Sequence, residues 1–263
     1  MRSLNIGATG MLAQQTNVDV ISNNIANMNT TAYSKRRAEF NDLLYQNIVR
    51  PGAASTAGQT IVPSGIQLGT GVKTAAIYRI TDGNALTNTG NSLDLAIKGR
   101  GYFQIELPEG KGTAYTRDGA FQRNGDGVIV THDGYVVQPE ITIPDDAVEV
   151  YVNASGEVWV KQDGQVDELN VGQLEIATLV NEAGLEAMGQ NLFLETEASG
   201  APIVDNPDNE GFGSIQSGYL ETSNVNPVSE ITELVSAQRA YEMNSKAITA
   251  SDEMLQQANN LRS

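Results

Sequence analysis

The sequence has no cysteine and a single histidine, His132, in a chain of 263 residues. The absence of cysteine excludes disulfides, thiolate zinc sites and cysteine nucleophiles. One histidine beside the turn signal Asp133-Gly134 supplies little material for a Ser-His-Asp triad or a histidine-rich metal site. The glycine pairs that begin at Gly69 and Gly99 lack the third glycine of a dinucleotide fingerprint. We therefore expect a protein without catalytic residues, bound metal or cofactor.

Basic charge is also scarce, because 16 lysine and arginine residues stand against 32 aspartate and glutamate residues, for a net charge of -16. Phosphate backbones attract basic surfaces, so this balance argues against nucleic acid as a partner. The basic cluster Lys35-Arg36-Arg37 is typical of a solvated patch or a subunit contact.

Long hydrophobic runs are absent as well. The sequence has no run of about eighteen apolar residues, so we expect no transmembrane helix and no direct insertion into a membrane. Near the N-terminus, polar residues such as Asn5, Thr9 and Gln14 interrupt the apolar region that a secretory signal needs. If the protein leaves the cytoplasm, we expect it to do so without a cleaved signal peptide.

The N-terminal segment contains a heptad repeat with almost no charge. Over residues 3 to about 31, apolar side chains recur at two positions of the repeat and predict a helix with a packing seam. The seam residues are Leu4, Met11, Val18 and Ile25 at one position, with Ile21 and Met28 at the other. Only Arg2 and Asp19 are ionisable among residues 1–34. A helix with one face in water carries more charge than this, so we expect other protein to surround it.

A second heptad helix is expected near the C-terminus. It should begin at Asn226-Pro227, because proline is tolerated in a first helical turn. Its seam residues are Leu234, Tyr241, Ile248 and Leu255. This helix carries charged residues such as Arg239 and Glu242, so one of its faces is expected to meet water. Since such helices need tertiary packing, the two should pair in a coiled-coil-like domain that joins the chain ends.

Between the helices the pattern changes twice. Residues 34–72 are rich in Gly, Ala, Ser and Thr, contain Pro51 and Pro63, and predict an extended linking segment outside the core. From residue 73 to 223, short apolar runs alternate with turn signals and predict an antiparallel β domain. We expect a mixed α and β fold with four segments: an N-terminal helix at 1–33, the linking segment at 34–72, a β-rich domain at 73–223 and a C-terminal helix at 224–263.

The stretch SNNIANMNTTAY, from Ser22 to Tyr33, should end the first helix. Asn and Thr side chains compete with helical hydrogen bonds, and Asn tolerates a left-handed backbone, so the chain is expected to turn here.

This stretch also resembles the signature of bacterial flagellar rod and hook proteins. The matching residues are Asn23, Asn24, Asn27, Asn29, Thr31 and Tyr33. Segments that begin at Leu93, Tyr115 and Gly218 resemble the same family, so the similarity covers nearly the whole chain. The segment from Tyr45 resembles an extended insertion of one rod member, and the other rod and hook members are the alternatives.

The resemblance implies a structural axial protein that polymerises helically into a rigid hollow shaft in the periplasm-spanning rod of the flagellar basal body. The terminal helices would form the inner tube, with the C-terminal helix toward the channel, and the heptad residues would form the assembly interface. The implied partners are further copies of the chain, the proximal rod protein, the hook protein, the surrounding L and P ring proteins, the rod cap and the flagellar type III export apparatus.

Ala32 departs from the family pattern, which usually has glycine before the aromatic residue. If this position needs a left-handed backbone, alanine costs about 1 to 2 kcal/mol there.

Two other protein classes also remain alternatives. One is an exported carbohydrate-binding or hydrolytic β protein, which would need a cleft with a perturbed carboxylate, and the other is a coiled-coil oligomer of closed symmetry.

Overall fold

The computed structural model describes residues 2–49, 64–81, 84–108, 112–164 and 167–261. The chain divides into two compact units. The helical unit comprises Met1–Ala26, Arg36–Arg79 and Val225–Ser263, and the central unit comprises Asn27–Lys35 and Ile80–Asn224. The expected mixed α and β fold is confirmed, because two terminal helices pack together and the centre of the chain forms antiparallel sheets.

The two helices are α1 (Arg2–Ala26) and α2 (Pro227–Asn260). Asn226 caps α2, since its Oδ1 accepts hydrogen bonds from the backbone N–H groups of Val228 at 3.1 Å and Ser229 at 3.3 Å. The expected start of this helix is therefore confirmed. Helix α1 ends at Ala26, short of the expected end near residue 31, because the asparagine-rich stretch turns the chain as soon as it leaves Ala26.

A ribbon of two successive strand pairs completes the helical unit. Its strands are β1 (Arg36–Asp42), β2 (Tyr45–Val49), β3 (Ile66–Gly69) and β4 (Val72–Arg79). Strand β1 pairs antiparallel with β4, and β2 pairs antiparallel with β3. Most of the described part of the linking segment is therefore a hydrogen-bonded ribbon. Residues 50–63, with Pro51 and Pro63, lie outside the described residues.

The ribbon runs along α1. At one end, the backbone N–H of Arg36 donates to Oδ1 of Asn24 at 2.9 Å. At the other end, the backbone N–H of Val72 donates to Oγ1 of Thr9 at 3.4 Å. Strands β1 and β4 thus follow α1 from near its C-terminal end toward its N-terminal end.

The central unit is built from short antiparallel strands. They are β5 (Leu86–Asn88), β6 (Leu95–Lys98), β7 (Tyr102–Glu106), β8 (Thr113–Thr116), β9 (Gln122–Arg123), β10 (Ile129–Val130), β11 (Val137–Gln138), β12 (Ala147–Val152), β13 (Glu157–Gln162), β14 (Leu169–Gln173), β15 (Ile176–Thr178), β16 (Glu186–Gly189), β17 (Leu192–Leu194), β18 (Ile203–Asp205), β19 (Ser214–Ser217) and β20 (Tyr219–Glu221). The largest sheet has the order β16-β17-β8-β7-β15-β18, with β11 also paired to β7. Phe103, Ile105 and Ile176 of this sheet are fully buried in the core of the central unit together with Val158 of the separate sheet β12-β13-β14.

Within the residues that the structure describes, no helix combines the length and hydropathy needed to cross a membrane. Over the same residues, His, Asp and Glu side chains do not gather in groups that could hold a metal ion.

Candidate assembly surface

Helices α1 and α2 pack against each other in opposite directions. Gly7, near the start of α1, faces Ile248 in the C-terminal half of α2. Asn24, near the end of α1, contacts Glu230 in the first turn of α2. The buried residues of the two helices are Gly7, Ala13, Val20, Ile21 and Asn24 of α1 and Glu230, Ala237 and Ser251 of α2.

Two glycines allow the closest approach between the helices. A Cβ atom on Gly7 would lie 2.7 Å from Cγ1 of Ile248, and one on Gly10 would lie 2.9 Å from Nδ2 of Asn244. Carbon atoms in contact normally stay about 3.5–4.0 Å apart. Any larger residue at these two positions must therefore displace the facing helix or its side chains.

A buried polar group fixes one end of the helix pair. The Nδ2 group of Asn24, a residue only 2% exposed, donates to the backbone oxygen of Arg36 at 2.8 Å and to Oε2 of Glu230 at 3.1 Å. Glu230 is itself 5% exposed. Buried polar groups are stable only when hydrogen-bonded, so these contacts set the position of α1 along both α2 and β1.

Most of the ten predicted seam residues are not buried within a single chain. Of the ten, only Ile21 is buried. The half-buried ones are Leu4, Met11, Val18, Ile25, Leu234, Ile248 and Leu255. Tyr241 is 43% exposed, and Met28 is 39% exposed in the turn that follows α1. Met28 is therefore not a helical seam residue, because α1 ends two positions before it.

The outward face of α1, which we call the α1 face, has a regular heptad spacing of its own. Its exposed residues are Asn5, Ala8, Leu12, Gln15, Asp19, Ser22 and Ala26. Leu12 is 64% exposed, and Asp19 is the only ionisable residue of the face. A surface with so little charge is suited to contact with other protein rather than with water.

The motif turn lies in the central unit. The backbone N–H and the hydroxyl of Thr30 donate to the backbone oxygen and Oδ1 of Asn27, each at 3.2 Å. Ala32 has a φ of 56°, so it adopts the left-handed backbone that glycine favours. Its N–H donates to the backbone oxygen of Glu221 at 2.8 Å. The backbone oxygen of Thr31 accepts a hydrogen bond from Nδ2 of Asn191 at 3.2 Å.

The remaining motif residues differ in burial. Asn23 and Asn29 are exposed, whereas Tyr33 is half-buried and its backbone N–H donates to the oxygen of Thr30 at 3.3 Å. Asn24 lies on α1 rather than in the turn. The structure thus divides the motif between the end of a helix and the turn that follows it.

Asn224 joins three separate parts of the central unit. Its Oδ1 accepts from the backbone N–H of Lys35 at 2.7 Å, and its Nδ2 donates to the backbone oxygen of Ile80 at 2.8 Å. The N–H of Ile80 also donates to the backbone oxygen of Lys35 at 2.9 Å. Lys35, Ile80 and Asn224 are three of the four residues at which the chain enters or leaves the central unit, so one side chain holds three of these points together.

A buried ion pair supports the same region. Nε of Arg117 donates to Oε2 of Glu221 at 2.9 Å, and these side chains are 10% and 3% exposed. Nη2 of Arg117 also donates to the backbone oxygens of Gly99 at 2.9 Å and Ile97 at 3.3 Å. Burial raises the pKa of Glu221, and the nearby Arg117 charge offsets this only in part.

The ion pair borders a cleft of about 600 Å³ in the central unit. A cleft with a perturbed carboxylate is what a hydrolytic protein would need. The two cleft carboxylates are, however, held in structural contacts: Glu221 by Arg117, and Glu182 by Nε of Arg100 and the hydroxyl of Tyr102, each at 3.2 Å. The cleft therefore presents carboxylates that hold the fold together rather than a pair free to act on a substrate.

Three family models of flagellar proteins match separate parts of the sequence. Residues 4–33 match the flagella basal body rod protein, residues 96–160 match the flagellar hook protein FlgE/F/G D1 domain, and residues 216–261 match the flagellar basal body rod FlgEFG protein C-terminal. The flagellar basal-body rod protein FlgG of Caulobacter vibrioides is 56% identical over 263 residues, covering 100% of both chains. The chain belongs to this family of flagellar rod and hook proteins.

Other relatives agree with this assignment. FlgG of Agrobacterium fabrum is 54% identical over 97% of each chain, and FlgG of Bacillus subtilis is 42% identical over 100% of this chain and 99% of its own. These relatives are all named FlgG, the distal rod protein, so they confirm the expected resemblance to one rod member of the family.

Several residues that hold the helical unit or the central unit together were not predicted from the sequence. They are Gly7, Gly10, Glu230, Arg117 and Glu221. Gly7 occupies a seam position of the first heptad, but the repeat favours large apolar residues there, and Gly10 lies outside the seam. Arg117 and Glu221 had no signal, because the pairing joins residues 104 positions apart.

Proposed function

We propose that this protein is the structural subunit of the flagellar distal rod. It polymerises helically into a rigid hollow drive shaft that carries motor torque to the hook and surrounds the export channel. The observation that carries the proposal is the α1 face, which has Asp19 as its single ionisable residue, in a chain that matches rod proteins over its whole length. No reaction step is needed, because the work is mechanical.

The α1 face supports packing between copies. A neighbouring helix can cover Ala8, Leu12 and Gln15 without stranding a buried charge. Asp19 is the one residue of the face whose carboxylate would need a partner there. The half-buried seam residues and Tyr241 would lose more of their exposed surface in the same contacts. A contact between two different surfaces that fails to close into a ring propagates along a filament.

The charge distribution supports the same assembly. The central unit holds 24 of the 32 acidic residues but only 7 of the 16 basic ones. The helical unit is left with 8 acidic and 9 basic residues and is almost neutral. Neutral units can approach closely, whereas the acidic central units favour solvation and repel one another. This difference supports a tube built from helical units.

The proposal includes the location and the partners that the family resemblance implies. The subunit is exported through the flagellar type III apparatus and lies in the rod of the basal body. It contacts the proximal rod and hook proteins along the axis, the rod cap at the growing end, and the L and P rings around it. The linking segment fills gaps between copies and limits bending.

Sedimentation and electron microscopy of the purified full chain test the proposal. We expect species whose size grows with protein concentration above a threshold and straight hollow polymers in the micrographs. A single oligomer of fixed mass at every concentration would instead support the closed coiled-coil alternative.

A further inference from the structure

Strands β2 and β3 expose a group of large apolar side chains, which we call the ribbon patch. Its residues are Leu44, directly before β2, and Ile48, Ile66 and Leu68, and their exposed fractions range from 42% to 88%. Tyr45 is paired with Gly69 and lies on the other face of the ribbon. The two strands form a two-stranded sheet of their own. Such a ribbon is marginally stable in water unless another layer packs on it. We therefore expect another protein surface to pack on the ribbon patch.

The ribbon patch lies toward one end of the helical unit. Strands β1 and β4 lead from the level of Asn24 to the level of Thr9. Strand β2 follows β1 and strand β3 precedes β4, so the pair β2-β3 begins at the level of Thr9, where the backbone N–H of Leu43 donates to the oxygen of Gly71 at 2.8 Å.

A second apolar surface lies at the opposite end of the same unit, and we call it the α2 stripe. It consists of Val228, Ile231 and Val235, which are 74%, 53% and 41% exposed. Residues at this spacing lie on one face of a helix. The stripe occupies the first turns of α2, beside Glu230 and its contact with Asn24.

We propose that the ribbon patch of one copy packs on the α2 stripe of a second copy displaced along the polymer axis. This inference rests on the proposed rod function and names one of its contacts. The two surfaces lie at opposite ends of the helical unit, so head-to-tail stacking brings them together and repeats the contact at every step. Leu44, Ile48, Ile66 and Leu68 on one surface and Val228, Ile231 and Val235 on the other carry no acidic or basic side chain, so their burial strands no carboxylate or ammonium group.

Disulfide cross-linking tests this contact without background, because the chain has no cysteine of its own. A double variant with Ile48→Cys and Ile231→Cys is polymerised under reducing conditions and then oxidised. We expect a ladder of covalent oligomers from the polymer and only monomer from dilute, unpolymerised protein. The matched control pairs Ile48→Cys with Leu12→Cys, which offers the α1 face as the partner.

The outcomes separate the inference from the proposed function. A ladder from the control but not from the test variant would show that the ribbon patch contacts the α1 face and would overturn the inference. Polymers of the test variant that form no ladder would also overturn it. In both cases the rod function would stand, because polymerisation is measured separately. A wild-type chain that does not polymerise would remove the proposed function itself.

A pair of oppositely charged substitutions tests the same contact if the cysteine variants fail to assemble. Ile48→Lys and Ile231→Glu should each raise the critical concentration for polymerisation at least about tenfold, because each places a charge in an apolar contact. Combined in one chain, the two changes face each other between copies and should recover most of that loss. A double variant no better than the worse single variant contradicts the contact.

Discussion

Replacing Gly7 by alanine tests whether the close approach of the two helices contributes to assembly. The new Cβ would lie 2.7 Å from Cγ1 of Ile248 and 3.2 Å from its Cδ1. The β-branched stem of Ile248 restricts its rotation, and overpacking of this kind costs about 1–3 kcal/mol. Alanine returns about 1 kcal/mol through its higher helix propensity. We therefore expect Gly7→Ala to weaken assembly by up to about 2 kcal/mol.

The assay is the critical concentration for polymerisation, measured by sedimentation of the full chain. A loss of about 2 kcal/mol corresponds to a rise of roughly 30-fold. In an Ile248→Ala background the obstructing atoms are absent, so Gly7→Ala should instead lower the critical concentration about fivefold through helix propensity alone. Gly125→Ala is the matched control, because an added Cβ there meets no atom within 4 Å. The reasoning is refuted if Gly7→Ala strengthens assembly of the otherwise unchanged chain.

Four further changes have defined expectations. Ala32→Gly should leave assembly and motility nearly unchanged. The gain from relieving the left-handed backbone, about 1–2 kcal/mol, is offset by the loss of a buried methyl group and by the greater freedom of the unfolded chain. A strong loss of motility would contradict this account of the turn. Val18→Asp should prevent rod formation while circular dichroism shows the central sheets intact, and normal rods from this variant would disprove the seam. Arg117→Met should destabilise the central unit by about 3–5 kcal/mol at pH 7. Because the folded-state pKa of Glu221 is already raised and would rise further without Arg117, the stability contribution of this carboxyl is present in acid and is lost as pH increases between its unfolded and folded pKa values. Denaturation curves should therefore show a smaller defect at acid pH, and an equal defect at both pH values would count against the ion pair. Raising the salt from 10 to 150 mM should lower the critical concentration, since the Debye length falls from about 30 to about 8 Å and the acidic central units then repel less; weaker assembly at high salt would argue for attractive charge contacts.

Local patterns were enough to predict the two helices and the start of α2. The heptad repeats indicated where apolar side chains line a helix, and Asn226-Pro227 marked a cap that the structure confirms. The turn signals between residues 73 and 223 likewise predicted antiparallel strands. These predictions succeeded because periodicity and capping depend on residues close together in sequence.

The contacts that position the helices could not be predicted in this way. Heptad reasoning favours large apolar residues, whereas Gly7 and Gly10 make the closest approach because they have no side chain. The bond between Asn24 and Glu230 joins residues 206 positions apart. The composition of residues 34–72 suggested an extended linker, but pairing of β1 with β4 depends on a partner strand that lies far along the chain.

Hydrogen exchange on the dilute monomer and on the assembled rod tests the central claim most directly. Protection is measured separately for residues 1–33, 73–220 and 224–263. We predict that the terminal segments exchange freely in the monomer and become protected in the rod, while the protected amides of the 73–220 segment are the same in both states. Terminal segments that are already fully protected in a monomer or a small closed oligomer, and that do not change on assembly, would contradict the account.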